Sequence, residues 1–191
     1  MKQMIVAITG ATGSWYGLRL IERLCRESDM RIHVVISPWG EKVILEETGK
    51  SFADWIASYP PDMLEIHAHD NLAATISSGS FPIDAMVVVP CTMGTLGAIA
   101  SGLASNLIER AASVSLKERR PLILVARETP LSAIQLEQML RLTQSGAIIL
   151  PPEPTFYNKP RTIEDIIDST VDRILDLLRI RQDSTRRWSP L

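Results

Sequence analysis

The sequence predicts an α/β fold in which a mostly parallel sheet carries helices on both faces. Three observations point there. Short runs rich in aliphatic and β-branched residues alternate with helical patterns along the chain. Those runs are apolar at nearly every position instead of every second one, the pattern of strands covered on both sides. Small and turn-forming residues stand directly after several of them, as in "GATGS" (10–14) and "CTMGT" (91–95).

The first run, "MIVAIT" (4–9), is apolar and ends at glycine, so it reads as a strand. Residues 16–26 follow with Leu18, Ile21, Leu24 and Cys25 at helical spacing. "RIHVVIS" (31–37) is the second strand, and 41–48 a short helix. Segment 50–83 is the least readable, with "MLEIHA" as a short strand within it. "DAMVVVP" (84–90) is the next clear strand. Helical turns of small residues follow Cys91, and "NLIERAASVSLKE" (106–118) is a helix. "LILVA" (122–126), the helix 132–145 and "AIIL" (147–150) continue the alternation. A proline-rich loop, 151–160, leads into a long amphipathic helix over 163–180. No internal repeat interrupts this order, and the polar stretch 181–191 reads as a tail after a domain spanning 1–180.

A chain of 191 residues with 46% hydrophobic and 22% charged content suits one domain with a sizeable core. A net charge of −2 gives no reason to expect nucleic acid or an anionic membrane as partner. No apolar run reaches the ~18 residues of a membrane span. Two cysteines, Cys25 and Cys91, read as free thiols, and a cytoplasmic protein is expected.

Ligands of open α/β sheets bind at the carboxyl ends of the strands. The residues there are "GATGS", Ser37, "CTMGT", "RET" (127–129) and the loop holding Tyr157. The first turn brings backbone N–H groups within reach of a phosphate, or is a tight turn and no more. Its spacing is not G-x-G-x-x-G, and Ser37 stands where a nicotinamide enzyme carries a ribose-binding acid, so such a cofactor is disfavoured. In the second turn Thr92 and Thr95 offer hydroxyls and Gly94 allows close approach, while Cys91 reads as a buried thiol. His33 lies within a strand as a packed residue. His67 and His69, two apart, make no metal site by themselves, and no metal is expected. Lys117 ends a helix, where a cation suits the helix dipole as well as it suits a phosphate. Arg173 on its helix and Tyr157 in its loop each have an ordinary reading too. Arg127 and Glu128 resist one: adjacent residues of an extended chain point to opposite sides, so the pair is set to meet two parts of one ligand.

Taken in order, "GATGS", "ISP", "SSGSF", "PCTMGTL", "NLIERAA", "LKERRPLILVARETP", "GAIILPP", "FYNKP" and "VDRILD" resemble the UbiX-type flavin prenyltransferases, formerly described as phenylacrylic or 3-octaprenyl-4-hydroxybenzoate decarboxylases. The likeness covers about residues 3–180, and the run from Leu116 to Glu128 followed by "FY" is its most specific part. It implies a Rossmann/flavodoxin-like three-layer domain assembled as a homododecamer. It also implies that a dimethylallyl group passes from dimethylallyl monophosphate to N5 and C6 of reduced FMN. Prenylated FMN, the product, would serve a UbiD-type decarboxylase.

By the same resemblance Gly10, Ala11, Thr12, Ser37, Thr92, Met93, Gly94, Thr95 and Arg127 line the flavin site. Tyr157 and Arg173 grip the prenyl phosphate, with Lys117 reaching in from another subunit. Glu128 sits between flavin and phosphate, and Glu47 matches a glutamate near the reaction. Trp188 resembles a tryptophan near the site. Thr12 stands where many relatives have serine, and Trp15 is bulkier than the common residue. A flavin-dependent cysteine decarboxylase is the alternative within the superfamily, but those enzymes use a histidine in an early helix and 16–26 holds none. A non-catalytic FMN carrier is the alternative of a different functional class.

Overall fold

The computed structural model describes residues 1–27 and 29–180; the tail, with Trp188, lies outside the described residues. Its strands are β1 (Lys2–Ile8), β2 (Met30–Ile36), β3 (Leu64–His67), β4 (Ala85–Cys91), β5 (Leu122–Ala126) and β6 (Ile148–Ile149). Its helices are α1 (Ser14–Leu24), α2 (Pro38–Thr48), α3 (Phe52–Ile56), α4 (Met93–Ala100), α5 (Leu107–Lys117), α6 (Ala133–Gln144) and α7 (Ile163–Leu177). The sheet order is β3-β2-β1-β4-β5-β6, and every pairing is parallel. This is the order of a doubly wound nucleotide-binding sheet, with its switch point between β1 and β4.

The period of two divides each strand between two cores. Met4, Val6 and Ile8 face the layer of α1, α2, α3 and α7, while Ile5 and Ala7 face α4, α5 and α6. The result is the expected three-layer single domain. Among the described residues no helix is long and apolar enough to cross a membrane.

Helix α7 shows which forces seat an outer element. Val171, Ile174 and Leu175 are fully buried against the sheet, and each such side chain stabilises by ~1.5–3 kcal/mol. Arg19–Asp168 (3.0 Å) and Arg23–Asp172 (2.9 Å) tie it to α1. Partly exposed pairs of this kind contribute about 1 kcal/mol or less, so apolar contact decides the docking and the ion pairs set its register.

The boundaries differ from the sequence reading in a few places. Helix α1 starts at Ser14, not at residue 16, and α2 at Pro38, not at residue 41. Pro38 occupies the first turn of α2, where no N–H is needed, and Ser37 caps it. Helix α3 was not foreseen; Ser51 caps it by accepting from Asp54 N. Strand β6 shrinks to two residues, and α7 ends at Leu177.

Candidate functional site

A cavity of about 640 Å³ opens at the switch point. Thr9 and Gly10 line it after β1, Ser37 after β2, and Thr92, Gly94 and Thr95 after β4. The Thr9 hydroxyl holds the two central strand ends together. It donates to the Pro90 carbonyl at 2.8 Å and accepts from Thr92 N at 2.8 Å. Two helix N-termini converge on the same space. Ser37 Oγ accepts from Gly40 N at 3.0 Å, and Thr92 Oγ1 accepts from Thr95 N at 3.2 Å. Hydroxyls and positively polarised helix starts suit an anionic or hydrogen-bonding ligand.

Close approach, not turn geometry, makes residue 10 a glycine. A Cβ there would lie 2.4 Å from Trp39 Cβ, whereas at Gly94 no atom lies within 4 Å. Position 10 is therefore closed and position 94 open toward the cavity. The other residues of these two turns face elsewhere. Ala11 and Met93 are buried, and the Thr12 hydroxyl donates to Glu47 at 2.5 Å.

Glu47 reaches from α2 to the start of α1. Its carboxylate accepts from Thr12 Oγ1, Gly13 N, Ser14 N and Ser14 Oγ. Burial pushes its pKa up, but the hydrogen bonds from Ser14, Thr12 and Gly13 outweigh that and hold it below the usual range. Glu47 is thus an ionised cap supplied from another helix. Sequence reading placed Glu47 near the reaction but missed the part of Ser14, which stands at the end of the "GATGS" turn.

Arg127 and Glu128 follow β5. Arg127 N donates to the Cys91 carbonyl at 3.1 Å, which fixes the backbone beside the second turn. Its Nε is buried and has no hydrogen-bond partner among the described residues. Glu128 is exposed, with Oε1 accepting from Thr129 N at 3.1 Å. A buried guanidinium N–H without a partner is costly, and it leaves a donor that a ligand could meet.

Tyr157 and Arg173 come together in a second cavity of about 880 Å³, between the 151–160 loop and α7. Lys117 lines neither cavity. It pairs with Glu118 over Gly79 of the "SSGSF" loop. A single chain therefore brings together Gly10, Ser37, Thr92, Gly94 and Thr95 in one place and Tyr157 with Arg173 in another, and leaves Lys117 apart.

Sequence reasoning missed Trp39, His69 and Glu109 in the wall of the first cavity. Glu109 is buried, and its Oε2 accepts from Ser105 N at 2.7 Å. Its place in the first turn of α5, behind the Asn106 cap, was the signal for it. Cys91 is fully buried and its thiol is pushed up to about 12, as expected of a thiol that takes no part in chemistry. His33 is buried as predicted, but its partner is His67 on the neighbouring strand.

The Flavoprotein family matches residues 1–175. A flavin prenyltransferase UbiX of Chlamydia pneumoniae is 43% identical over 99% of this chain and 98% of its own. A UbiX crystallised with FMN and dimethylallyl pyrophosphate superposes with a TM-score of 0.91 at 44% identity, covering 100% of this chain and 98% of that one. A dodecameric FMN-dependent UbiX-like decarboxylase of Escherichia coli O157:H7 gives a TM-score of 0.93 at 44% identity, covering 98% and 100%. An FMN-dependent cysteine decarboxylase, at 16% identity and a TM-score of 0.64, shares the fold alone.

Proposed function

Because this chain belongs to the Flavoprotein family and, within it, to the UbiX-type flavin prenyltransferases, we propose that it transfers a dimethylallyl group from dimethylallyl monophosphate to N5 and C6 of reduced FMN. The observation that carries the reading is the switch-point cavity, lined at the strand ends by Gly10, Gly94 and the hydroxyls of Thr9, Ser37, Thr92 and Thr95; Arg127, bonded through its backbone to Cys91 before the second turn, adds a buried donor that lacks a partner among the described residues. FMN fits that donor set: a planar ring needs close backbone approach, and its carbonyls need N–H and O–H groups. Reduced FMN, when bound, supplies the electron-rich ring that accepts the prenyl group.

Gly10, Ser37, Thr92, Gly94 and Thr95 hold the flavin, and Arg127 Nε donates to it. Ala11 and Met93 support the two turns from behind, and Thr12 acts through Glu47. Tyr157 and Arg173 take up the negative charge that grows on the phosphate as the donor's C–O bond breaks. Lys117 joins them from a neighbouring copy, which explains why it stands apart within one chain. That role requires an oligomer, in keeping with the dodecameric relative. Glu128, exposed beside Arg127, moves protons between flavin and phosphate. The two free thiols suit a cytoplasmic setting, and residues 1–180 form the flavin-binding unit. The prenylated product passes to a UbiD-type decarboxylase.

The test is to mix the protein anaerobically with reduced FMN and either the monophosphate or the pyrophosphate donor, and to weigh the flavin by mass spectrometry. A gain of one prenyl unit is expected with the monophosphate. Unchanged flavin with both donors overturns the reading and leaves an FMN carrier. Arg173→Ala should weaken donor binding more than flavin binding, and Glu128→Gln should lower turnover. Equal loss of both ligands, or turnover like the wild type, removes the respective assignment.

A further inference from the structure

We propose that His33, Glu65 and His67 form a binding site for a divalent transition-metal ion of the zinc type, on the β2–β3 edge of the sheet and independent of prenyl transfer. Parallel pairing sets His33 beside Glu65, and the period of two places His67 on the same face. The two ring nitrogens, His33 Nδ1 and His67 Nε2, are 3.0 Å apart. Each lies 3.7 Å from the nearer Glu65 oxygen. Ligands at ~2.1 Å from a tetrahedral zinc are roughly 3.4 Å from one another. The two 3.7 Å contacts use different oxygens of Glu65, Oε2 toward His33 and Oε1 toward His67, and one donor atom from each of the three residues lies within 4.8 Å of the others, so a small turn of the carboxylate would complete one face of such a tetrahedron. Two imidazoles and a carboxylate are also the donor set that zinc and its neighbours in the first row prefer.

The surroundings prepare the ligands. His33 Nε2 lies 2.7 Å from the Gln3 amide oxygen, an acceptor, so the Nε2 proton is committed there. The Nδ1 lone pair then points at the cluster, with Gln3 in the role of the outer hydrogen-bond partner that orients a metal-bound histidine. Both rings are buried, and it is the neutral imidazole that a metal takes. Arg31 holds Glu65 Oε2 at 2.8 and 3.2 Å and leaves Oε1 turned to His67. The Phe81 ring closes one side, edge-on to His33 at 5.3 Å. Glu65, about one-third exposed, leaves the other side open to solvent for entry and for a fourth ligand.

The competing arrangement is a plain hydrogen bond in which His67 Nε2–H donates to His33 Nδ1. Metal binding at His67 Nε2 would move that proton to His67 Nδ1, so the ring stays neutral. Full-length protein, stripped with a chelator and dialysed, is titrated with Co²⁺ and followed by visible absorption. One Co²⁺ per chain is expected, with the intense band of a tetrahedral site, displaced by Zn²⁺. His67→Gln and Glu65→Gln should each weaken binding about tenfold or more, with far-UV circular dichroism and FMN binding retained to show intact folding. Gln3→Leu spares all three ligands and should still weaken it about 10–100-fold. His69→Gln should leave Co²⁺ binding unchanged. Absence of saturable binding, binding that survives His67→Gln, or a sulfur-to-cobalt charge-transfer band lost in Cys25→Ser would each overturn the proposal. A plain imidazole pair predicts no effect of Gln3→Leu on metal uptake.

Discussion

Glu47→Gln tests whether a remote carboxylate caps α1. The wild-type group accepts four hydrogen bonds, including those from the backbone N–H of Gly13 and Ser14. Glutamine has one oxygen, so its NH₂ group faces a second donor at Ser14 N, and the remaining bonds lose their charge. Ser14 is fully buried. A buried donor left unpaired costs ~1–3 kcal/mol, and the partial exposure of Glu47 favours the middle of that range. The expected loss is about 2 kcal/mol, or ~4–8 °C in Tm for a chain of this size. Because folding lowers the Glu47 pKa, its contribution is present above the unfolded value near 4.5 and is lost as pH falls through the folded value. Thermal melts at fixed protein concentration should therefore show a gap between wild type and variant at pH 7. That gap should narrow as the pH is lowered below 4.5 and through the folded value, since glutamine does not titrate. Equal Tm values at pH 7, or a gap that persists undiminished into acid, would refute the capping role.

Three further outcomes follow from the same geometry. Gly10→Ala should destabilise by ~1–3 kcal/mol through overpacking and abolish FMN binding; Trp39→Ala, which keeps the clashing Cβ, should not rescue it, as paired melts and flavin titrations would show. Arg127→Met should leave the Tm of the flavin-free protein unchanged or slightly higher, because its Nε has no partner to lose among the described residues, yet weaken FMN about 10–100-fold, the worth of a charged hydrogen bond. Burial lifts Cys25 to about 11 and Cys91 to about 12, so at pH 8 iodoacetamide should label the native protein on the order of 100-fold more slowly than free cysteine, and both thiols should react at once after unfolding in urea.

The strands β1, β2, β4 and β5 were legible because both of their faces are buried, and continuous apolar runs say so. Edge strands carry less of that signal. In β3 only His67 is buried, and β6 has two half-buried residues. The start of α1 was misplaced because its cap is Glu47, more than thirty positions away, and no local pattern reveals a cap from a distance. Helix α2 was misplaced for the opposite reason: Ser37-Pro38 is a local start signal, but the first charged residue, Glu41, drew the boundary. The strand-end rule located Gly10, Ser37, Thr92 and Thr95 because topology alone determines that site. It was blind to His69 and Glu109, which arrive from a loop and a helix start. The pairing of His33 with His67 required the register of β2 against β3, which strand content does not contain.

The place of α7 in chain order bears on how the protein is made. All six strands precede Ile163, so the sheet can assemble on the ribosome before α7 has emerged. Until then the core cluster that Val87, Val89 and Val125 share with Val171 and Ile174 is incomplete. A chain whose closing helix has not yet docked leaves part of that apolar face uncovered, the kind of surface through which partly folded chains associate.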